Sequence, residues 1–180
     1  MRFIILLISY LVLLNATVAQ EDFLSQQYFN YGDFEKAVVF YEKLVEKSPR
    51  RTDYSEGLIA CYQQLERYTE AEEYLLKQLA NKNAYPTFYI ELGYNYTLQN
   101  SPGKATEYYE QAIEKINENP NYGYAIGLRF QKYALLDYSS KAFLKAMELN
   151  PQLDYNFQLA RIYGEQGEIG KMYSSYLELY

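Results

Sequence analysis

A period of about 34 residues, long enough for one supersecondary unit, runs through most of the chain. Four columns of similar residues repeat at that spacing: one aliphatic, one aromatic, one of small residues and one of large apolar residues. The columns are Leu24, Leu58, Leu92 and Ile126; Tyr28, Tyr62, Tyr96 and Phe130; Ala37, Ala71, Ala105 and Ser139; and Tyr41, Leu75, Tyr109 and Phe143. A fifth copy, with Leu159 and Tyr163, begins one residue early. Four columns at one period predict an array of structural repeats.

Each period carries the signals of two helices. In the first period, Leu24, Tyr28 and Tyr31 stand at i, i+4 and i+7 and predict one face of a helix that ends at Gly32-Asp33. A second helix is predicted to end before Pro49. The apolar face of this second helix consists of Ala37, Phe40, Tyr41 and Leu44. The chain shows no alternation typical of strands, so the pattern predicts helix–turn–helix units throughout.

Local signals predict where the second helices of the later periods begin. Thr69 and Glu72 have the spacing of a capping box. Ser101 is predicted to cap its helix, with Pro102 in the first helical position. Gly167-Glu168 predicts the turn of the fifth period.

These residues resemble the tetratricopeptide repeat family. Leu92-Gly93-x-x-Tyr96, followed by Ala105, Tyr109 and Ala112, matches the family pattern, as does Gly32-Asp33 in the first period. The resemblance implies an all-α fold, a right-handed α-solenoid of about 4.5 to 5 helix–turn–helix units. The predicted units are residues 20–51, 52–85, 86–119, 120–152 and 153–180.

The segment 1–19 has the layout of a secretory signal peptide. Arg2 is followed by an apolar run that begins at Phe3 and ends at Leu14, and then by small residues up to Ala19. We therefore predict cleavage after Ala19 and an exported protein, periplasmic or secreted, with the repeat array in residues 20–180. The alternative is an uncleaved signal anchor that tethers the chain to a membrane. Beyond this segment, no stretch is apolar for long enough to insert into a membrane.

Composition argues against most catalytic and nucleic-acid functions. The 180 residues include no His, so triads and zinc sites that use His ligands are excluded. The formal net charge is −6, and removal of Arg2 with the signal makes it −7. An acidic chain without a basic block is a poor candidate for phosphate-backbone binding. We therefore predict no enzyme activity, no cofactor, no metal and no nucleic-acid partner.

The resemblance implies a concave face, lined mainly by the first helix of each unit, that binds a segment of another protein. By position in the repeat, the lining residues are Asp22, Gln26, Phe29, Glu56, Ala60, Gln63, Ile90, Tyr94, Thr97, Tyr124, Leu128 and Gln131. The aromatic and aliphatic members favour a partly apolar, neutral-to-basic partner segment, held chiefly by Tyr94 and Tyr124. The Lys/Asn/Arg set with which some family members bind a C-terminal carboxylate is missing from these positions.

Two other functions fit the sequence: the sensing input region of a longer signalling chain, and a carbohydrate-binding accessory module that uses some of the 23 tyrosines. The apolar ending Leu177-Glu178-Leu179-Tyr180 also leaves a homodimer through the last unit as an expectation. Cys61 is predicted to be a buried packing residue, because no basic cluster stands beside it. Asn95 begins a glycosylation sequon that the repeat pattern places inside a helix.

Overall fold

The computed structural model describes residues 17–179, and this part of the chain is all-helical. Helix–turn–helix units without strands confirm the predicted all-α fold class. The helices are α1 (residues 17–30), α2 (Phe34–Lys47), α3 (Thr52–Gln64), α4 (Tyr68–Leu79), α5 (Thr87–Leu98), α6 (Pro102–Glu118), α7 (Tyr122–Lys132), α8 (Leu136–Leu149), α9 (Asn156–Glu165) and α10 (Ile169–Leu177). Most of the predicted signal peptide, residues 1–16, lies outside the described residues.

The turn after each first helix has the same backbone shape, and it repeats with the period of the sequence. One residue in each turn has a left-handed φ, between 53° and 78°. These residues are Gly32, Glu66, Asn100, Ala134 and Gly167. The next residue donates its backbone N–H to the carbonyl of the aromatic column, as in Asp33 N–Tyr28 O at 2.9 Å. This closing bond is that of a Schellman motif, which satisfies a carbonyl that the helix end would leave unpaired.

The repeating columns form the interior of the protein. In the second, third and fourth repeats their members are buried, Tyr62 and Tyr96 included. In the first repeat, Leu24 and Tyr28 are only half-buried, and Tyr31 is 75% exposed. The expectation that Tyr31 belongs to the apolar face of α1 is therefore wrong. It stands immediately before the left-handed Gly32, where the helix has already ended, so its side chain no longer follows the helical face.

The helices divide into two compact units, residues 17–74 and residues 75–179, with the division inside α4. In the first unit, Ala37, Leu44, Leu58 and Cys61 belong to one core cluster. Burial raises the pKa of the Cys61 thiol to about 12, so it packs as an apolar group and is not a ready nucleophile. That confirms the packing role predicted for it.

Close approach between helices organises the second unit. A Cβ atom on Gly93 of α5 would lie 2.4 Å from the Tyr109 ring of α6, and one on Gly127 of α7 would lie 2.5 Å from the Phe143 ring of α8. Each glycine thus makes room for the large apolar residue of the second helix in its own repeat. This is the physical reason for pairing a small residue with an aromatic one at fixed offsets.

Two of the predicted helix starts differ in detail. The helix α4 begins at Tyr68, so Thr69 already lies inside it and the predicted capping box is wrong. Ser101 does occupy the N-cap of α6, and Pro102 is the first helical residue as predicted, but the Ser101 side chain makes no capping hydrogen bond. Asn95 lies inside α5 and is fully buried, so the sequon is inaccessible in the folded chain.

Exposed apolar residues remain on α10, where Tyr173 and Leu177 are among the most exposed large apolar side chains of the described region. The homodimer through this end stays a prediction. Among residues 17–179, no helix combines the length and the apolar character needed to cross a bilayer.

The many buried tyrosines make the fold sensitive to alkali. Burial raises the pKa of seven of them above the ordinary value of about 10. They are Tyr41, Tyr54, Tyr62, Tyr74, Tyr109, Tyr133 and Tyr155. Since the folded state holds these protons more tightly than the unfolded state, their contribution to stability is complete below about pH 10 and is lost as the pH rises through the folded pKa values.

We therefore expect Tm to fall steeply above about pH 10, measured by thermal unfolding with far-UV circular dichroism. An absorbance titration of tyrosinate should show a delayed group of tyrosines in the native protein and a single transition in urea. Coincident titrations in both conditions would contradict the prediction.

Candidate protein-binding surface

A buried ion pair connects α5 to α7 in the second unit. Glu91 is only 1% exposed, and its Oε1 accepts a hydrogen bond from Nη1 of Arg129. Its other oxygen, Oε2, accepts a hydrogen bond from the hydroxyl of Tyr133. Burial, followed by the charge of Glu91, raises the pKa of Tyr133, so the phenol stays protonated and remains a donor. The three side chains together hold the first helices of two neighbouring repeats in register.

Tyr94 extends this cluster by one ring. Its side chain stacks on Tyr133, with the ring centroids 3.8 Å apart and the planes inclined by 16°. One face of the Tyr94 ring is therefore already covered, and the residue is half-buried. Tyr94 can offer a partner only its remaining edge and face, so it is less suited to be a principal anchor than the sequence predicts.

Two exposed apolar side chains of this unit lie on α7. Tyr124 is 44% exposed and Leu128, one turn further along the helix, is 40% exposed. The Tyr124 ring is supported from beneath by Phe143 and Tyr155, at centroid distances of 6.4 and 5.7 Å. An aromatic ring that is held in place yet half open to solvent has the properties of a binding anchor, because little of its conformational freedom is left to be lost on binding.

The fifth repeat supplies an equivalent of Tyr124 that the sequence reasoning missed. Phe157 takes the place of Tyr124 in that repeat once the early start shown by Leu159 and Tyr163 is allowed for. It lies at the start of α9 and is 51% exposed. Extending the lining column of Tyr124 into the fifth repeat at the shorter spacing would have found it. We call Tyr124, Leu128 and Phe157 the aromatic surface.

The other predicted lining residues of the second unit differ widely in accessibility. Thr97 is exposed, although its hydroxyl bonds the Tyr109 hydroxyl at 2.8 Å, and Gln131 is half-buried. Ile90 is fully buried, so its prediction as a lining residue needs correction. The reason lies in α5, which buries residues on nearly every side, including polar Glu91 and Asn95. A helix enclosed on nearly every side has no broad face that a repeat register alone can assign to solvent.

The predicted residues of the first unit form no continuous exposed patch of their own. Gln26 is exposed, and its amide donates to Asp22 Oδ1 at 2.7 Å. Phe29 packs edge-on against Phe34, with centroids 5.4 Å apart. Glu56 and Ala60 are half-buried. Gln63 is 7% exposed, so the prediction that it lines an accessible surface is wrong. Its Nε2 has no hydrogen-bond partner among the described residues.

The Glu91–Arg129 pair was also absent from the sequence reasoning, although the repeat register contains a signal for it. Arg129 falls in the same column as Cys61 and Asn95, both of which are fully buried. An arginine in a buried column requires a carboxylate nearby. Glu91 stands one repeat and one helical turn before it and satisfies that requirement.

Within residues 17–179, no group of three or more His, Cys, Asp or Glu side chains is arranged to hold a metal ion. The chemistry offered by the described surface is therefore that of apolar rings, amides and ordinary surface ion pairs.

Comparison with known proteins finds a family model that matches part of the repeat pattern. The family model of the tetratricopeptide repeat matches residues 86–114, which contain α5 and most of α6. Residues 86–114 are thus similar to a tetratricopeptide repeat. In this segment, Gly93 and Tyr109 are the small and aromatic residues that approach each other across the helix pair.

Two curated proteins show similar sequences. The general transcriptional corepressor trfA of Dictyostelium discoideum is 23% identical over 130 residues, covering 71% of this chain and 9% of that protein. The general transcriptional corepressor ssn6 of Schizosaccharomyces pombe is 22% identical over 126 residues, covering 69% of this chain and 11% of that protein. The chain spans about a tenth of the length of these relatives.

Solved structures with a similar fold include BtubC (BKLC) from P. vanneervenii, with a TM-score of 0.50 and 18% identity, covering 89% of this chain and 77% of that chain. The MamA protein is similar with a TM-score of 0.47 and 18% identity, covering 90% of this chain and 89% of that one. At this identity, the likeness to BtubC concerns the fold alone.

Proposed function

We propose that the chain is a non-catalytic interaction scaffold that binds a segment of a partner protein through the aromatic surface of residues 75–179. The observation that carries the proposal is the exposure of Tyr124, Leu128 and Phe157 on the first helices of successive repeats. Such helices are the part of the repeat that the family resemblance assigns to binding.

The energetic argument rests on a small number of anchors. Interfaces derive most of their affinity from a few residues, and tyrosine is among the commonest of these. Tyr124 offers a large ring whose position is already set by Phe143 and Tyr155. A complementary apolar side chain of the partner could cover Tyr124 and Leu128 with little reorganisation of this chain.

The charge of the chain bears on the partner. At a formal net charge of −6, the protein repels acidic segments over long distances and attracts neutral-to-basic ones. A partly apolar segment with few acidic residues is therefore the partner class that we propose. We also propose that the protein acts after export, an expectation that rests on the sequence of residues 1–19.

The proposal is tested with a peptide library displayed on phage and selected on immobilised protein comprising residues 20–180. Replacement of both Tyr124 and Leu128 with alanine is expected to weaken the selected peptides by at least about tenfold, since each truncated anchor costs on the order of 1 kcal/mol or more. Dissociation constants from fluorescence anisotropy provide the measurement.

The matched control replaces Tyr173 and Leu177 on α10 with alanine, two exposed side chains of the same types. Peptide affinity should be unchanged in this control, and circular dichroism should show native helix content in both variants. Equal losses in the two double variants, or no loss at Tyr124 and Leu128, would refute the aromatic surface as the binding site.

A further inference from the structure

A recess in residues 75–179 shares no residue with the aromatic surface. It is formed by the loop between α4 and α5, the end of α6 and the start of α7, and encloses about 680 Å³. That volume lies within the range of small-molecule sites, roughly 300–1,000 Å³. Unlike the apolar packing around it, the recess is lined mainly by amide, phenol and charged side chains.

The charged side chains that line this recess are Lys82, Lys115 and Glu118. The ammonium of Lys115 lies 2.7 Å from Oε1 of Glu118 and 5.6 Å from the centroid of the Tyr89 ring. The hydrogen bond to Glu118 raises the pKa of Lys115, so the ammonium holds its proton more tightly than an ordinary lysine does. Because its charge is already matched, Lys115 provides a hydrogen-bond donor beside an acceptor and not an open cationic site.

The partial charges of the helix ends around the recess are balanced. The helices α4 and α6 end here, at Leu79 and Glu118, and both direct carbonyl groups toward their C-termini. The helices α5 and α7 begin here, after Pro86 and Asn121, and their N-termini carry the opposite partial charge. Two positive and two negative helix ends give no strong preference for either an anion or a cation.

Side chains with both donors and acceptors complete the lining. Asn83 is exposed in the loop, and Asn119 is fixed at the opposite rim because its Oδ1 accepts the backbone N–H of Asn121 at 3.1 Å. Tyr122 is 36% exposed at the start of α7 and offers a flat ring with a hydroxyl. Amides, a paired lysine and a phenol can together donate and accept hydrogen bonds, and the exposed Lys82 in the loop adds one further donor with a positive charge.

From these features we propose that the recess binds a neutral saccharide unit. A pyranose ring has a flat face of C–H groups that packs on an aromatic ring, and its hydroxyls require alternating donors and acceptors around the edge. Tyr122 provides the ring, and Asn83, Asn119 and the Lys115–Glu118 pair provide the edge. This site goes beyond the proposed protein-binding function, since it uses a different part of the unit and a different ligand class.

The test titrates the protein with three neutral disaccharides, maltose, cellobiose and N,N′-diacetylchitobiose, and separately with inorganic phosphate, followed by nuclear magnetic resonance. At least one disaccharide is expected to bind with a dissociation constant of roughly 1 mM or lower. Tyr122→Ala and Asn83→Ala should each weaken it by about tenfold, whereas Tyr173→Ala should bind like the wild type.

Each other result overturns the proposal. Binding of phosphate but of no disaccharide would make the recess an anion site, and binding of none of the four probes would exclude the saccharide class. Disaccharide binding that survives both Tyr122→Ala and Asn83→Ala would place the sugar elsewhere. The peptide affinity of the Tyr122→Ala variant, measured in parallel, is expected to be unchanged. The saccharide test can then fail or succeed independently of the peptide-binding test on the aromatic surface.

Discussion

Replacing Arg129 with methionine is expected to lower the free energy of unfolding by about 3–5 kcal/mol. The guanidinium is mostly enclosed and pairs with the fully buried carboxylate of Glu91. Methionine fills much of the volume but leaves the carboxylate with its negative charge inside the protein, where the Tyr133 hydroxyl still donates to it. The cost is thus the desolvation of an uncompensated charge, which far exceeds the loss of one contact. Urea denaturation followed by circular dichroism measures it.

Two controls separate this effect from a general loss of packing. The double variant Glu91→Gln with Arg129→Met removes both charges and keeps an oxygen for the Tyr133 hydroxyl, so we expect it to be more stable than Arg129→Met alone. Lys141→Met removes the Lys141–Glu110 pair, whose side chains are about half exposed, and should cost no more than about 1 kcal/mol. If Arg129→Met costs as little as Lys141→Met, the buried pair does not stabilise the fold.

Replacing Phe130 with alanine is expected to cost about 3–5 kcal/mol of stability. Phe130 is fully buried at the end of the aromatic column and contacts two rings of its neighbours, Tyr109 at 5.6 Å and Tyr138 at 5.1 Å between centroids. Truncation removes the transfer free energy of the ring and leaves a cavity that these large side chains can close only in part. The loss should appear as a lower urea midpoint with little change in the slope of the transition.

Phe157 provides the matched control, because it is the same residue type and half exposed. Phe157→Ala should change stability by less than about 0.5 kcal/mol, as expected for a surface substitution. The two phenylalanines thus test opposite roles. A stability loss at Phe157 that equals the loss at Phe130 would show that Phe157 belongs to the core, and would remove it from the aromatic surface.

The helices and the core were predictable because the same weak sequence signals recur in several copies of the repeat. A single Leu or Tyr indicates little, but four columns at one spacing define which face of each helix is buried. Residues such as Leu92, Tyr96 and Phe130 are buried as this register requires. Local capping signals were less informative, as Thr69 and Ser101 show, because stacking between helices determines where a helix begins more strongly than one side chain does.

The accessible surface was less predictable, because the repeat register gives the position of a residue in its helix but not how far neighbouring helices bury that position. Ile90 and Tyr124 stand in the same column, yet one is fully buried and the other half exposed. The difference arises from neighbouring helices that enclose α5 and leave part of α7 open. Tyr94 shows a second limit: one face of its ring is covered by Tyr133, a partner at the end of α7 that no periodic column connects to it.

The repeated left-handed turn has a consequence for how readily this chain can change. Glu66, Asn100 and Ala134 hold a backbone conformation that costs a residue with a side chain about 1–2 kcal/mol more than glycine, somewhat less for asparagine. The protein keeps its turns in spite of that cost, so the stacked helices supply stability in excess of what the turns consume. Glycine at these positions would remove the conformational cost and raise the free energy of unfolding. Substitutions that diversify the binding surfaces could then accumulate without unfolding the array.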